Sequence, residues 1–424
     1  MQSQQQTVAP ETAVTESGID IASLPAVPIY DAAFAADPER AYAEMRRTYG
    51  SMAPVELAPG VRATLVIGWA TARRILNDPH HFPADPRIWQ QGVDPGLSIL
   101  PMIEYRPNAL FSTGADHTRY RAATVDALAG VDLAGLRDTV AQTAGAMINQ
   151  FCAAGSADLI SQYVLPLVFT VVNQMLGCPP EISGRIADAS AKLFDSVEDR
   201  GEVNAALNAS LLALVALKRA EPGDDVTTRL LQHPVNLDDE EMCHQLVTFF
   251  SASIEPLTNL IVNTLLLMLT DPRWTEAAYG AAPLTPAAIR LTLRENPPIA
   301  HYCLSYPAQP ILVGGYWLRA NEPVIIGMTA CNNDPENLQG DDRGYHEIDL
   351  AYGGGVHECP ARAQTNALLI AHEAIDQLLD VLPEIALAVH ESRLVWRPGP
   401  FHRALETLPV DFPPTQPLPL DFGR

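Results

Sequence analysis

The chain of 424 residues has a formal net charge of −23 and is 47% hydrophobic. This excess of acidic side chains argues against nucleic acid and anionic membrane surfaces as partners, since both are bound through basic patches. The apolar content is enough for a large buried core, in one large domain or in two fused ones.

The N-terminus predicts neither an export signal nor a membrane anchor. Residues 1–24 lack a basic segment and an apolar stretch, and their composition is typical of a disordered tail. The longest apolar segment, 261–270, is well short of the ~20 residues that a membrane-spanning helix needs. The 6 cysteines contain no CxxC pair, which indicates reduced thiols. We therefore expect a cytoplasmic protein with no membrane partner.

The first two thirds of the chain have a mostly helical pattern. Apolar residues recur every three or four positions in 37–50, 133–155 and 157–177, which predicts helices. Proline- and glycine-rich breaks separate these segments. The stretch 61–69 is an exception, because it reads as a strand that leads into a short helix.

The last third predicts the β part of the protein. Short alternating segments cut by Gly and Pro fill 299–329 and predict several strands. A helix is predicted again after Cys359, and 393–412 is predicted to be extended. The pattern as a whole is that of a mainly α protein with small β-sheets in its second half.

Residues 351–362, AYGGGVHECPAR, place one cysteine after three glycines and directly before a proline. Glycine allows backbone conformations and close approaches that a side chain would block, and Pro360 suits the first turn of a helix. Cys359 therefore lies where a helix begins, and the free N–H groups and positive dipole end there stabilise a thiolate. Such a thiolate is a good axial ligand for haem iron, and the glycines leave room for a flat porphyrin.

The residues alone leave other interpretations of this loop open. A lone cysteine is most often a packing residue, and a redox-active thiol is a further alternative. A zinc site needs more Cys or His at short spacing, and only His357 is near. The glycines also lack the GxxxxGK pattern of a phosphate-binding loop.

The loop resembles the haem-thiolate loop of the cytochrome P450 family, usually written FGxGxHxCxG. Tyr352 replaces the Phe, Gly353, Gly355 and His357 match, and Ala361 replaces the last Gly. The resemblance implies a P450 fold, mainly α with small β-sheets, that forms a single domain over 25–424. It also implies haem b as the cofactor and the loop cysteine, Cys359, as the iron ligand.

Two further segments match the family in the same order along the chain. ADHTRYR at 115–121 is similar to the HxxxR segment, and the resemblance implies that His117 and Arg121, with His357, hold the haem propionates. Their four-residue spacing puts His117 and Arg121 on one helix face, and two cationic donors suit two carboxylates. Taken alone, that pattern is more often a solvated helix face. WRPGPFHRALETLPV is similar to the closing LxWRPxxxxRGLxxLPV strands.

The chain departs from the family on the helix before the β region, where P450s carry ExxR. Arg294 stands at the Arg position, but Leu291 replaces the Glu. A buried Arg without its carboxylate costs roughly 3–5 kcal/mol, so we expect another carboxylate near Arg294 or water at its side chain. The propionate-binding Arg expected near Leu304 or Ser305 is absent as well, and His301 is the nearest polar candidate. The CPAR start of the helix at Cys359 and the WRPGPFHRAL ending resemble those of atypical bacterial P450s that lack ExxR and are associated with signalling operons encoding small GTPases.

A second departure lies in the long central helix, where P450s show AGxET or AGxDT above the haem. Ala252, Ser253 and Glu255 fill this pattern, and Pro256 replaces the threonine. In the family the acid–alcohol pair helps to deliver protons during oxygen activation. Glu255 keeps the acid, whereas Pro256 leaves the Ala252 carbonyl without its helical hydrogen bond and free to hold a water. The resemblance thus gives Glu255, Ala252 and Pro256 as distal catalytic residues, although a proline here can also simply bend a core helix.

Three functions remain in competition. The first is a monooxygenase that hydroxylates a small lipophilic substrate with electrons from ferredoxin and ferredoxin reductase. The second is haem-thiolate chemistry without reductive oxygen activation, such as peroxide use, isomerisation or dehydration. The third is a non-catalytic haem- or ligand-binding protein that acts through a signalling-protein partner. Glu358 mildly favours the second and third, because it repels an acidic ferredoxin, whereas Arg119 and Arg362 favour the first.

Overall fold

The structure of the protein, a computed structural model, describes residues 18–97, 99–195, 200–275, 285–338 and 349–419. The helices in this part of the chain are α1 (Ala32–Ala36), α2 (Pro38–Tyr49), α3 (Trp69–Leu76), α4 (Leu100–Ile103), α5 (Gly114–Ala129), α6 (Leu133–Phe151), α7 (Leu165–Met175), α8 (Pro180–Asp195), α9 (Arg200–Ala220), α10 (Val226–Gln232), α11 (Asp239–Thr270), α12 (Pro272–Thr275), α13 (Thr285–Glu295), α14 (Met328–Asn332), α15 (Pro335–Leu338) and α16 (Ala361–Val381).

The strands are short and lie mainly towards the two ends of the described chain. They are β1 (Ile19–Asp20), β2 (Val27–Pro28), β3 (Met52–Ala58), β4 (Val61–Val66), β5 (Ser156–Asp158), β6 (His301–Ser305), β7 (Ile311–Val313), β8 (Tyr316–Leu318), β9 (Val324–Gly327), β10 (Ala386–Leu387) and β11 (Pro409–Asp411). They form a five-stranded mixed sheet in the order β2-β3-β4-β9-β6 and two three-stranded sheets, β1-β8-β7 and β10-β11-β5. The predicted fold class, mainly α with small β-sheets, is confirmed.

The helical part is built around α11, the longest helix. Asp238 and Glu241 form a capping box at its start, in which each side chain accepts a hydrogen bond from the other residue's backbone N–H. Its stretch 257–266 is buried on every side, and helices α5 to α10, α13 and α16 contribute to the same large apolar cluster. This helix therefore forms the axis of the core, and its first half leads towards the cysteine loop and the β part.

A hairpin near the C-terminus, residues 395–406, connects this helix to the β part. The Arg397 N–H donates to the Ala404 carbonyl at 2.8 Å, and the Glu406 N–H donates to the Val395 carbonyl at 2.9 Å. The turn of this closing hairpin pairs in addition with 298–301, where the Ala300 N–H donates to the Phe401 carbonyl at 2.8 Å. The hairpin is thereby fixed against the start of β6.

The N-terminal boundary needs a correction. The disordered tail was predicted for 1–24, but Ile19–Asp20 pair in parallel with Tyr316–Trp317, and a 3₁₀ turn follows at Ile21–Ser23. The ordered chain therefore includes residue 18, and the remainder of the predicted tail, 1–17, lies outside the described residues. The unity of the predicted domain over 25–424 stays a prediction.

Two helices of the described residues are long and apolar enough to cross a membrane by length and composition. One runs over Glu202–Ala220 and the other is α11, where 56% of the most apolar window is buried inside the protein. Core helices of soluble proteins pass the same test, so this is weak evidence for a membrane span.

Candidate haem-thiolate site

The cysteine loop is held by its own backbone before α16 begins. A 3₁₀ turn at Gly355–His357 precedes Cys359, and the Cys359 N–H donates to the Tyr352 carbonyl at 2.9 Å. Burial raises the pKa of the Cys359 thiol to about 11, although the positive charge of Arg121 opposes that shift. Burial therefore opposes the thiolate that the helix start was predicted to stabilise. Coordination to a metal deprotonates such a thiol outright.

The conformation of this loop requires glycine at Gly355. Its φ is +68°, and a Cβ placed there would lie 1.9 Å from the Leu76 carbonyl oxygen at the end of α3. Such a separation is far below van der Waals contact, so no other residue fits without moving α3. The close approach of α3 to the loop therefore explains why glycine is required at Gly355.

Two histidines and an arginine converge beside the loop. The His117 and His357 rings lie 4.3 Å apart, and the His357 Nδ1 lies 3.1 Å from the Ala109 carbonyl oxygen. The His117 Nε2 is buried without a hydrogen-bond partner among the described residues. Burial lowers the pKa of His117, and Arg121 lowers it further. Burial, His117 and Arg121 together lower the pKa of His357 to about 4.

Arg121 completes this group of three cationic or potentially cationic side chains. Its pKa is lowered because burial outweighs the opposing influence of the Cys359 and Glu358 charges. Because the three side chains lie close together and are partly buried, each disfavours a positive charge on the others. An anionic ligand would favour their positively charged forms instead. The arrangement fits a ligand that carries carboxylates, and the orphaned His117 Nε2 supplies a free hydrogen-bonding atom for it. The structure thus brings His117, Arg121, His357 and Cys359 together.

The distal candidates lie one turn apart on α11. Ala252 is exposed, whereas Glu255 and Pro256 are half-buried. The Glu255 carboxylate accepts a hydrogen bond from the Arg397 guanidinium on the closing hairpin, and the His402 Nδ1 lies 3.9 Å from the Glu255 Oε1. Pro256 lies inside the continuous helix and, having no N–H, leaves the Ala252 carbonyl without its helical donor.

The chain resembles bacterial P450 proteins in both sequence and structure. No protein-family model matches it. It is 28% identical over 400 residues to cytochrome P450 107B1 of Saccharopolyspora erythraea, covering 90% of this chain and 96% of that protein. It is 28% identical over 392 residues to the vitamin D3 dihydroxylase of Streptomyces griseolus, covering 87% of this chain and 92% of that protein. The solved structure of CYP154C4 from Streptomyces sp. W2061 has a TM-score of 0.82 and 26% identity, covering 91% of this chain and 98% of that one.

The relatives and structural neighbours of the chain are thus bacterial cytochrome P450s. The chain is accordingly an oxidoreductase of the monooxygenase type, and its cofactor is haem b. The glycine-lined cysteine loop, the orphaned His117 Nε2 and the half-buried Arg121 fit this cofactor, because a porphyrin offers a flat face, an iron and two propionates.

One predicted site residue, His301, is placed elsewhere. The His301 Nε2 lies 2.7 Å from the Tyr42 hydroxyl, and its Nδ1 lies 2.6 Å from the Pro400 carbonyl oxygen. Both ring nitrogens are therefore engaged by the protein, and the ring packs against Phe34 as well. The expectation that His301 replaces the missing propionate-binding arginine is wrong; it joins α2, β6 and the closing hairpin.

The region of the missing ExxR glutamate is tied together by an amide. The Asn332 Nδ2 donates to the Arg294 carbonyl at 3.2 Å, and the Asn332 Oδ1 accepts from the Leu350 N–H at 2.8 Å. The amide thereby links the end of α13 to the entrance of the cysteine loop. Burial raises the pKa of Asp349, and the charge of Arg294 opposes that shift. Asp349 is therefore a carboxyl group close enough to Arg294 to interact with its charge.

Sequence reasoning missed Arg397, His402, Asn332 and Asp349. The first two stand within WRPGPFHRAL, a segment that matches the family as a pattern, but nothing in that pattern indicates that they face Glu255. An Arg and a His five positions apart in the extended segment predicted at 393–412 were the available signal. Asn332 and Asp349 flank residues 339–348, which lie outside the described residues, and no sequence pattern pointed to either.

Proposed function

We propose that this P450 is a cytoplasmic monooxygenase that hydroxylates a small lipophilic substrate with electrons from ferredoxin and ferredoxin reductase. The observation that carries the proposal is the placement of Cys359 in a glycine-lined loop beside His117, His357 and Arg121. The relative named vitamin D3 dihydroxylase acts, by its name, on a lipophilic molecule, which supports the substrate class.

In this proposal Cys359 would bind the haem iron, and His117, Arg121 and His357 would hold the propionates. When bound, the haem would supply the redox centre at which dioxygen is activated. The loop would exclude bulk water from the half-buried Cys359 thiolate. Burial lowers the pKa of both imidazoles, and the propionate carboxylates would give them a favourable partner.

On the distal side the proposal assigns proton handling to the first half of α11. Glu255 keeps the acid of the family pattern, and the Ala252 carbonyl, freed by Pro256, holds a water in place of the missing threonine hydroxyl. The small Ala252 side chain leaves space above the cofactor for a substrate. Ala252, Glu255 and Pro256 thus keep the catalytic roles that the resemblance implies.

The face around the cysteine loop bears on the choice of electron donor. Arg119, which favoured a ferredoxin in the sequence, is engaged by Glu241 with an Nη2–Oε2 distance of 2.8 Å. Arg362 donates to the Val131 carbonyl at 2.8 Å. Exposed basic side chains are instead present at Arg73 and Arg74 on α3, whose end abuts the loop. These two arginines support docking of an acidic ferredoxin despite the exposed Glu358.

The test uses the haem-loaded protein with NADPH, a bacterial ferredoxin, its reductase and a panel of lipophilic small molecules under ¹⁸O₂. The proposal predicts a hydroxylated product that carries one labelled oxygen atom. Product formation only with hydrogen peroxide, or from isomerisation without added oxygen, would contradict the monooxygenase and favour the second class of function. The relatives named above give no support to a signalling-protein partner.

A further inference from the structure

The closing hairpin presents two basic side chains to the carboxylate of α11. The Arg397 Nη2 donates to the Glu255 Oε1, and the His402 Nδ1 lies 3.9 Å from the same oxygen. Arg397 and Glu255 are 142 residues apart in the sequence. Their contact therefore depends on the tertiary fold. The Arg397 guanidinium and the Glu255 carboxylate thus form a charge-assisted hydrogen bond, which holds the carboxylate in place.

The hairpin is shaped to make room for the imidazole of His402. Gly399 has a φ of +152°, and a Cβ at that position would lie 2.5 Å from the His402 Cε1 and 3.0 Å from its Nε2. A side chain at Gly399 would therefore displace the ring. The ring itself is held over α11 by the pairing of His402 with Ile299.

The other nitrogen of His402 has no protein partner. Its Nε2 is buried and makes no hydrogen bond to any described residue, and a buried polar atom of this kind usually meets a water. A cleft of about 10 Å³ adjoins the ring, enough for about one water. Phe34, Tyr42, Thr329 and Gly399 line it together with His402, and the exposed Asn296 lies at its rim.

We propose that His402 passes protons from this cleft to Glu255, with Arg397 as the residue that positions the carboxylate. A water in the cleft gives a proton to the His402 Nε2 and regains one from solvent, and the Nδ1 proton moves to a Glu255 oxygen. Glu255 then releases that proton on the distal side, and a flip of the imidazole ring restores the first tautomer. The net change is one proton moved inwards from solvent, and no electrons are transferred. A movement of about 1 Å shortens the 3.9 Å separation to a hydrogen bond.

The charge environment supports an imidazole that exchanges protons. Burial lowers the pKa of His402, the charge of Glu255 raises it, and the charge of Arg397 lowers it. The ring is therefore neutral at physiological pH and able to accept a proton. Other titratable or charged groups lie in or next to the lining of the cleft. They are Tyr42 and Glu39 on α2, His301 on β6 and Arg403 on the closing hairpin.

This inference rests on the proposed monooxygenase function, because only reductive oxygen activation consumes protons on the distal side. Its test compares the wild-type holoprotein with His402→Gln and with His390→Gln, an exposed histidine on a different surface. We expect His402→Gln to lower the product formed per NADPH consumed about tenfold, to divert reducing equivalents to hydrogen peroxide and to increase the solvent deuterium isotope effect. The His390→Gln protein should match the wild type.

A second measurement keeps the inference testable if His402→Gln folds poorly. In the reduced, carbon monoxide-bound holoprotein with ¹⁵N-labelled histidine, Glu255→Gln should lower the pKa of His402, because the carboxylate raises it. An Arg397→Gln protein should shift that pKa upwards, since a positive charge is removed. A pKa of His402 that is unchanged in both variants would contradict the contact.

The two proposals fail in different ways. Wild-type protein that forms no product with NADPH and the ferredoxin system overturns the monooxygenase and the proton route together. Active wild-type protein whose coupling equals that of His402→Gln overturns the proton route alone.

Discussion

The two sides of the candidate haem site differ in how the chain builds them. On the proximal side the glycines, His357 and Cys359 lie within one short loop, and local backbone geometry decides which residues fit. On the distal side Glu255 meets Arg397 and His402 from a hairpin far along the chain. The cysteine loop keeps most of the family pattern although the ExxR glutamate is missing, whereas the distal side replaces an alcohol by a proline and adds charged partners. Local constraints thus preserve a motif, while tertiary contacts allow its chemistry to be rebuilt.

The largest effect is expected from Cys359→Ser, which removes the ligand on which the proximal side depends. We expect complete loss of the Soret band typical of a thiolate-ligated, reduced carbon monoxide complex, and loss of NADPH-driven product formation. Absorption spectroscopy checks the first result and product analysis the second. Cys178→Ala, at a buried cysteine in the helical core, is the matched control and should keep the band. A thiolate-type band in Cys359→Ser would show that another residue ligates the iron.

The next effect separates two neighbouring glycines of the loop. Gly355→Ala places a Cβ 1.9 Å from the Leu76 carbonyl at a φ of +68°, whereas the nearest atom to a Cβ at Gly354 is a side-chain carbon 3.2 Å away. We expect Gly355→Ala to lower the free energy of unfolding by at least ~2 kcal/mol and to reduce haem content. Gly354→Ala should cost much less. Denaturant unfolding and haem quantification measure both, and equal losses in the two variants would refute this account of the loop.

On the distal side, Glu255→Gln removes the acid but keeps the size of the side chain. We expect product formation per NADPH to fall by a factor of about 10 or more, because a positioned proton donor is lost, while the proximal spectrum stays that of the wild type. Glu240→Gln, an exposed glutamate at the start of the same helix, serves as the control. An unchanged coupling in Glu255→Gln would mean that the freed Ala252 carbonyl and its water suffice.

The smallest effect concerns His301, which the structure places in the protein core instead of at the cofactor. Burial lowers the pKa of His301 to about 4, against 6.5 in the unfolded chain. The unfolded state therefore binds a proton that the folded state does not. The resulting penalty is absent above pH 6.5 and grows as the pH falls towards 4, to at most about 3 kcal/mol.

Denaturant unfolding at pH 7 and pH 5 measures this dependence. A His301→Gln protein should lose less stability between the two pH values than the wild type and should keep its haem content. Loss of haem at unchanged stability would instead restore His301 as a propionate ligand.

The sequence predicted the fold class and the proximal loop because both depend on local patterns. Helical periodicity marked α2, α6 and α7, and β4 lies within the predicted strand at 61–69. The loop motif likewise depends on residues that are adjacent in sequence, such as Gly355 and Cys359. Such features are encoded within a few positions and need no knowledge of distant neighbours.

The remaining features depend on tertiary contacts that no local pattern encodes. His301 was misplaced because Tyr42, 259 residues away, binds one of its nitrogens. The raised pKa of Cys359 was not predicted, because burial is a property of the folded chain and here outweighs the charge of Arg121. The partners of Glu255 were visible only as two basic residues in a segment predicted to be extended. Side-chain contacts between distant parts of the chain therefore could not be predicted from the sequence.

The central claim is that Cys359 binds haem as a thiolate in spite of the missing ExxR glutamate. The most direct measurement is the absorption spectrum of the purified wild-type protein, reduced with dithionite and exposed to carbon monoxide. We predict a Soret band of the thiolate-ligated type at full intensity, because the Asn332 amide ties the backbone carbonyl of Arg294 to the backbone N–H of Leu350 at the entrance of the loop. A band typical of a neutral or nitrogen ligand, or protein that binds no haem, would contradict the claim.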